Sequence, residues 1–247
     1  MNFLLLQPDE VDEDGLATLH GRRARHLAQV LRAERGQRLR CGLLDGMLGE
    51  AVVEAITPTT ATVRASFTRP ATPVHDVLLL AAPRPKVLLR MLAHAAALGF
   101  ARVMLFRSWR VDKTWLQSRA FDPDLQRAQL VLGLEQAGRT RLPEVLRFDR
   151  FKPLVEDALP TLALPAQRFV AHPAAHNSTR TLGPLRGPFA LALGPDGGFL
   201  PYEIEQLQSA GFCPITMGAH AQRTETALAA LWGQLDLMRG RATFGKE

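Results

Sequence analysis

An apolar run that ends in a glycine-rich turn, Leu191-Ala192-Leu193-Gly194-Pro195-Asp196-Gly197-Gly198-Phe199, constrains the fold of this chain more than any other stretch. The run reads as a buried strand, and a helical pattern opens just beyond it at Pro201-Tyr202-Glu203-Ile204. The same grammar returns further on. Phe212 to Met217 is a short strand, Gly218 its exit, and a second helix opens near Thr224. Two strand-turn-helix units in succession predict an α/β sheet with both turns at the carboxyl ends of strands, where open sheets of this class bind ligands.

The stretch before this region has a different texture. Phe3–Leu6, Gln37–Leu43, Gly49–Ile56 and Ala61–Phe67 read as short strands with turn punctuation, which predicts a small β-barrel. One helical segment, Arg22–Leu31, interrupts them with Ala24, Leu27, Ala28 and Leu31 on one face. Thr68-Arg69-Pro70-Ala71-Thr72-Pro73 has the composition of a linker, because two close prolines disfavour helix and break strand pairing. The reading is therefore two domains, 1–70 and 74–247. The second alternates strands and helices: Asp76–Ala81, helix Lys86–Leu98 closed by Gly99, Arg102–Phe106, helix Asp122–Ala137 and Gln167–Ala171. The final helix, Thr224 to about Arg239, carries Leu228, Leu231, Leu235 and Met238 on one face, as core or as part of a dimer contact. Such alternation predicts a mostly parallel sheet covered by helices.

Charge narrows the choice of partner. The net charge of +6 favours a polyanion, since basic surface gains affinity by releasing the counterions condensed on phosphate backbone. The densest basic patch surrounds the early helix, where Arg22, Arg23, Arg25 and Arg32 are the candidate phosphate contacts; the other reading of that face is plain solvation. No aromatic residue lies between these arginines, so phosphate and shape contacts fit better than base stacking. Cys41 and Cys213 are far apart and lack ligand spacing, and the seven histidines form no metal motif, so buried free thiols and no metal are expected. No apolar run reaches the ~18 residues that span a bilayer, and the opening residues lack a signal-peptide pattern, so a cytoplasmic location is expected.

Gly194 to Gly198 matches neither the dinucleotide fingerprint nor the Walker loop. Alone, it is equally a tight turn in which Asp196 bonds its own backbone. Its partner segment strengthens the ligand reading. Arg223-Thr224-Glu225-Thr226 gathers a guanidinium, hydroxyls and a carboxylate in a helix's first turn, whose free N–H groups attract anionic groups. Ordinary capping by Thr224, with Glu225 facing the helix dipole, is the other reading.

Gly194-Pro195-Asp196-Gly197-Gly198-Phe199 with Glu203, Gly211-Phe212, Met217-Gly218 and Arg223-Thr224-Glu225-Thr226-Ala227 resembles the C-terminal signature of the RsmE family of 16S rRNA uridine-N3 methyltransferases, in the SPOUT superfamily. Further matches follow in the family's order at His26, Val30-Leu31-Arg32, Leu98-Gly99, Glu135-Gln136, Gly138-Arg139, Pro143 and His172-Pro173. The sequence departs from the family at Asn2, His94, Ala97, Asp196, Leu200-Pro201 and Ala221-Gln222. The resemblance implies a PUA-like β-barrel, an α/β methyltransferase domain with a deep trefoil knot, a homodimer, and S-adenosylmethionine converted to S-adenosylhomocysteine. It places the cofactor against Leu193, Gly194, Pro195, Gly197, Gly198, His172, Met217, Gly218, Gln222, Arg223 and Thr224. The implied substrate is 16S rRNA, in the assembled small subunit. Alternatives are another SPOUT RNA methyltransferase, acting on a ribose 2′-hydroxyl or another base, or a non-catalytic RNA-binding assembly factor. For uridine N3, an imide nitrogen that must lose its proton, Arg223 is the candidate for stabilising charge on the uracil oxygens and Glu225 a candidate base.

Overall fold

A computed structural model describes residues 3–218 and 220–239, so Asn2 lies outside the described residues. The chain forms two compact units: Met1–Pro73 with Leu130–Leu142, and Val74–Gln129 with Pro143–Glu247. The segment Leu130–Leu142 falls within the stretch that sequence pattern assigns to the second domain, yet it packs with the first unit. Its hydrogen bonds explain this. Asp45 N–H donates to the Thr140 carbonyl at 2.8 Å, the Thr140 hydroxyl to the Gly46 carbonyl at 2.9 Å, and Leu142 N–H to the Asp45 carboxylate at 2.8 Å.

In the first unit, β1 (Phe3–Leu6), β2 (Leu16–His20), β3 (Arg38–Leu43), β4 (Leu48–Ile56) and β5 (Thr60–Arg69) form one sheet in the order β1-β3-β4-β5-β2. The β1–β3 pair is parallel and the others are antiparallel. The sheet is a half-barrel with β1 and β2 at its two edges, where a small barrel is expected from the sequence. The helix expected at Arg22–Leu31 is α1 (Gly21–Arg25) continued by a π turn over His26–Val30, and Ala24 and Leu27 bury its apolar stripe. Cys41 is fully buried in this core, where burial first and the Glu50 charge second push its thiol up to about 12. Cys213 in the second unit is only half-buried, contrary to expectation.

The second unit contains β6 (Asp76–Ala81), α2 (Pro85–Leu98), β7 (Phe100–Phe106), the start of α3 (Pro123–Ala137), β8 (Glu144–Phe148), α4 (Phe151–Pro153), β9 (Gln167–Ala171), β10 (Asn177–Ser178), β11 (Phe189–Leu193), α5 (Pro201–Ser209), β12 (Cys213–Thr216) and α6 (Thr224–Met238). The strands lie in the order β10-β12-β9-β11-β6-β7-β8, and every neighbouring pair is parallel. Central β6 and β11 are buried along their whole length, which is why Asp76-Val77-Leu78-Leu79-Leu80-Ala81 and Phe189-Ala190-Leu191-Ala192-Leu193 read as continuous apolar runs rather than alternating ones. Gly99 closes α2 in the left-handed region at φ 89°, a conformation glycine adopts without penalty.

The carboxyl ends of the strands carry the glycine turns, while the amino ends are tied down. Asp76, 4% exposed, accepts a bidentate pair from Arg239 at 2.7 and 3.0 Å and a hydrogen bond from Phe189 N–H at 3.0 Å. The same guanidinium lies 4.7 Å over the Phe189 ring. One buried carboxylate thus joins the starts of β6 and β11 to the end of α6.

Candidate cofactor and substrate site

Three adjacent parallel strands, β12, β9 and β11, end at one cleft of about 240 Å³. Each contributes its exit. After β11 come Gly194, Pro195, Asp196, Gly197 and Gly198; after β9, His172 and Pro173; after β12, Met217 and Gly218. Gln222 and Thr224 complete one wall at the start of α6, with Ala227 and Leu231 behind them. The apolar wall with backbone groups at its lip is typical of small-molecule sites.

Hydrogen bonds tie the strand exits around the cleft together. The Thr224 hydroxyl, nearly buried, donates to the Gly194 carbonyl at 3.4 Å, and His172 N–H donates to the Ile215 carbonyl at 2.9 Å. Gly198 sits at φ 71° and Gly218 at φ 148°, conformations that L side chains rarely adopt. A Cβ at Gly194 would lie 3.1 Å from the Phe199 ring. These turns require glycine for backbone geometry and close packing at once.

Among the residues expected from the sequence to contact a cofactor, Leu193, Gly194, Pro195, Gly197, Gly198, His172, Met217, Gly218, Gln222 and Thr224 all line the cleft. Arg223 does not. It is the exposed N-cap of α6, extended at φ −61° and ψ 148°, next to the cleft-lining Gln222 and Thr224. Glu225 also stands apart, because its carboxylate accepts from Arg90 on α2 at 2.8 Å. That ion pair joins α2 and α6.

Glu203 contributes more than its place in the motif indicates. It is 2% exposed, and its carboxylate accepts from Leu200 N–H at 2.9 Å, the Ser108 hydroxyl at 3.1 Å and Trp109 N–H at 2.9 Å. One buried charge at the start of α5 thereby fixes both the turn that follows β11 and the loop that follows β7. Pro201 opens α5, as its fixed φ allows. From the β7 loop, Arg110 reaches the Gly197 carbonyl at the cleft wall.

In the first unit the arginines separate into two kinds. Arg23 is bound to Glu10, with a second contact at 2.8 Å and a bond to the Leu5 carbonyl at 3.1 Å; its side chain is mostly buried. That engagement removes it from the expected RNA face. Arg22 reaches the buried Glu135 at 2.6 Å but is itself about half exposed, at 53%, while Arg25 and Arg32 are exposed on the surface. Among the described residues there is no cluster of metal-ligating side chains.

Comparison with known proteins fits this arrangement. Residues 70–236 match the family model described as RNA methyltransferase domain, and residues 19–66 match the RNA methyltransferase PUA domain. A Treponema pallidum protein, ribosomal RNA small subunit methyltransferase E, is 28% identical over 93% of this chain and 88% of its own length. The chain belongs to the RsmE family of RNA methyltransferases. A Mycobacterium bovis protein of the same name is 26% identical over 98% of this chain and 94% of its own. A solved structure of ribosomal RNA small subunit methyltransferase E from Neisseria gonorrhoeae, bound to S-adenosyl methionine, superposes with a TM-score of 0.75 at 20% identity, covering 96% of this chain and 98% of that one. The methyltransferase Lpg2936 from Legionella pneumophila, in complex with the bound cofactor, gives 0.74 at 24% identity over 96% and 97%. At these identities the structural likeness establishes the fold, and RsmE-family membership rests on the sequence matches.

Proposed function

We propose that this RsmE-family chain transfers the methyl group of S-adenosylmethionine to N3 of a uridine in 16S rRNA within the assembled small subunit, acting as a cytoplasmic homodimer whose β12–α6 region is threaded as a trefoil knot. The observation that carries the reading is the meeting of both glycine turns with His172 and Thr224 around one cleft at the carboxyl ends of β9, β11 and β12. The residues fit a nucleoside cofactor. Apolar side chains of Leu193, Ala227 and Leu231 offer a wall for a planar base, and the glycines let backbone donors and acceptors approach it.

When bound there, S-adenosylmethionine supplies an electrophilic methyl group and leaves as S-adenosylhomocysteine. The chain's own residues do the rest. Gly194 to Gly198 and Met217 to Thr224 hold and orient, and much of the rate comes from alignment of the reacting atoms. Arg223, exposed between the cleft-lining Gln222 and Thr224, stabilises negative charge on the uracil oxygens in this reading as N3 loses its proton. Because N3 lies on the pairing edge, the uridine must enter unpaired. Arg22, Arg25 and Arg32 supply phosphate contacts from the first unit.

The test is methyl transfer from labelled cofactor to hypomethylated small subunits and to naked rRNA, with the modified position mapped by mass spectrometry. Label on N3 of one uridine, stronger with subunits, is expected. Label on a ribose or another base would replace the proposed specificity, and cofactor binding without label would favour an assembly factor. Arg223→Ala should lower turnover by about 100-fold or more, the scale seen when a charge-stabilising donor is lost, without a change in melting temperature.

A further inference from the structure

Trp109 is 81% exposed, and Arg110 beside it is exposed too, but the residues that flank this pair are not. Ser108 is 1% and Val111 5% exposed, and Val111 packs with Ala82 and Leu116. The loop is therefore held, not loose. Arg107 N–H donates to the Phe148 carbonyl at 3.2 Å, Val111 N–H to the Ser108 carbonyl at 3.1 Å, and Trp109's own N–H to buried Glu203 at 2.9 Å. An anchored backbone presents the largest apolar side chain to solvent, which forgoes about 2 kcal/mol of burial.

Position and charge identify what covers it. The loop follows β7 at the carboxyl edge of the parallel sheet, the same edge as the cleft, and the next residue, Arg110, bonds the Gly197 carbonyl in the cleft wall. Arg84, after neighbouring β6, has a 71% exposed side chain, and Lys86 and Lys113 are exposed on the same edge. The acids on these loops are Asp112, which accepts from Thr114, Asp122, which accepts from Asp124 N–H, and Asp196, which faces Arg84 at 3.5 Å. An exposed indole among cations, beside a cleft for a nucleoside, has the composition of a platform on which an unpaired base stacks while its phosphates meet arginine and lysine. The arginine patch of the first unit has no aromatic residue in its sequence and lacks this device.

We infer that Trp109 is a substrate-positioning residue: its indole stacks a single-stranded RNA base flanking the target nucleotide, and Arg84, Arg110 and Lys86 contact the adjoining phosphates. The choice of RNA as occupant rests on the proposed methyltransferase function. An aromatic stack contributes roughly 1–3 kcal/mol per base, so losing it should weaken RNA by about 5- to 150-fold.

The experiment compares wild type, Trp109→Ala and Trp109→Phe. Trp109→Ala should raise KM for small subunits by at least about fivefold, with kcat within about twofold and cofactor affinity unchanged, and Trp109→Phe should recover most of the loss. In parallel, a short uridine-containing single-stranded RNA should quench wild-type tryptophan fluorescence, and the part of that quenching due to Trp109 should vanish in Trp109→Phe, which retains Trp115 and Trp232. Equal KM in all three proteins, or equal quenching in wild type and Trp109→Phe, overturns the inference. So does a smaller sedimenting species for Trp109→Ala, which would assign the indole to an interface between copies of the chain. If wild type labels no RNA, the proposed function fails by itself, and the quenching comparison still decides whether Trp109 meets RNA.

Discussion

Replacing Glu203 by glutamine changes one atom's chemistry at the point where two loops are tied together. The carboxylate accepts three hydrogen bonds at 2.9–3.1 Å while 2% exposed. Glutamine keeps a carbonyl oxygen for Trp109 N–H, and the Ser108 hydroxyl can rotate to accept from the new amide. Leu200 N–H then faces another donor and loses its acceptor. Hydrogen bonds to a charged group contribute about 1.5–3 kcal/mol, and a stranded buried donor costs about 1–3 kcal/mol. Because Ser108 is partly compensated, the expected net loss is about 2–4 kcal/mol. For a domain of this size 1 kcal/mol lowers the melting temperature by about 2–4 °C, so Glu203→Gln should melt roughly 4–16 °C below wild type. Glu205→Gln, on the exposed side of α5, is the control and should stay within about 0.5 kcal/mol. The assay is urea unfolding at constant m-value, combined with titration of the cofactor. A loss below about 0.5 kcal/mol for Glu203→Gln would refute the argument that this carboxylate holds the loops.

Other perturbations separate the parts of the fold. Asp76→Ala leaves the mostly buried Arg239 with only the half-exposed Asp236, at 3.1 Å, and strands Phe189 N–H, so it should cost about 1–3 kcal/mol in urea unfolding, while the cleft residues remain as they are. Gly198→Val forces a β-branched residue to φ 71°, with strain of about 1–3 kcal/mol, and should weaken cofactor binding by calorimetry more than Gly197→Val, whose Cβ meets only the flexible Arg110 side chain at 3.1 Å. Burial pushes the Glu10 carboxyl up, but the Arg23 guanidinium and Gln7 N–H outweigh it and hold the group below its ordinary value. Stability from this pair is therefore present above the unfolded carboxyl's pKa and lost as pH falls through the lower folded value. Glu10→Gln should flatten that acid limb of stability against pH and leave the neutral limb parallel to wild type.

Local pattern carried much of the second unit. Asp76–Ala81 has the bounds of β6, because a strand buried on both faces leaves a near-continuous apolar run, and Gln167–Ala171 has those of β9, although only Phe169 and Val170 in it are buried. Strands on the edges left weaker traces. Leu16–His20 is only five residues long, breaks strict alternation with Leu16-Ala17 and follows an acidic turn, and Glu144–Phe148 is half exposed on β8, so neither stands out from loop. The cleft was legible because both of its halves are short motifs with glycines in them. What lay beyond reach were partners distant in sequence. Glu225 meets Arg90 across 135 positions and Glu203 meets Ser108 across 95, and no helical or strand period relates them. Arg23 looked like its neighbours Arg22 and Arg25 because a helix wheel does not show Glu10 on the facing turn. The anchored exposure of Trp109 has no local signature either, since a lone tryptophan is as often core as surface.

The placement of β11 between β6 and β9 also bears on how the chain reaches this state. Asp76 and Phe189 are 113 residues apart, so the central strand of the sheet is among the last to be synthesised. Until it arrives, β6 can pair with β7 on one side and offers an open edge on the other, apolar beyond Asp76. Folding is then limited by insertion of a late strand into a waiting slot, a non-local step that is slow because loop closure precedes its reward. The cleft at its end cannot exist before that insertion, so methyl-donor binding should appear only with the slowest refolding phase, and the half-made sheet is the species most exposed to aggregation.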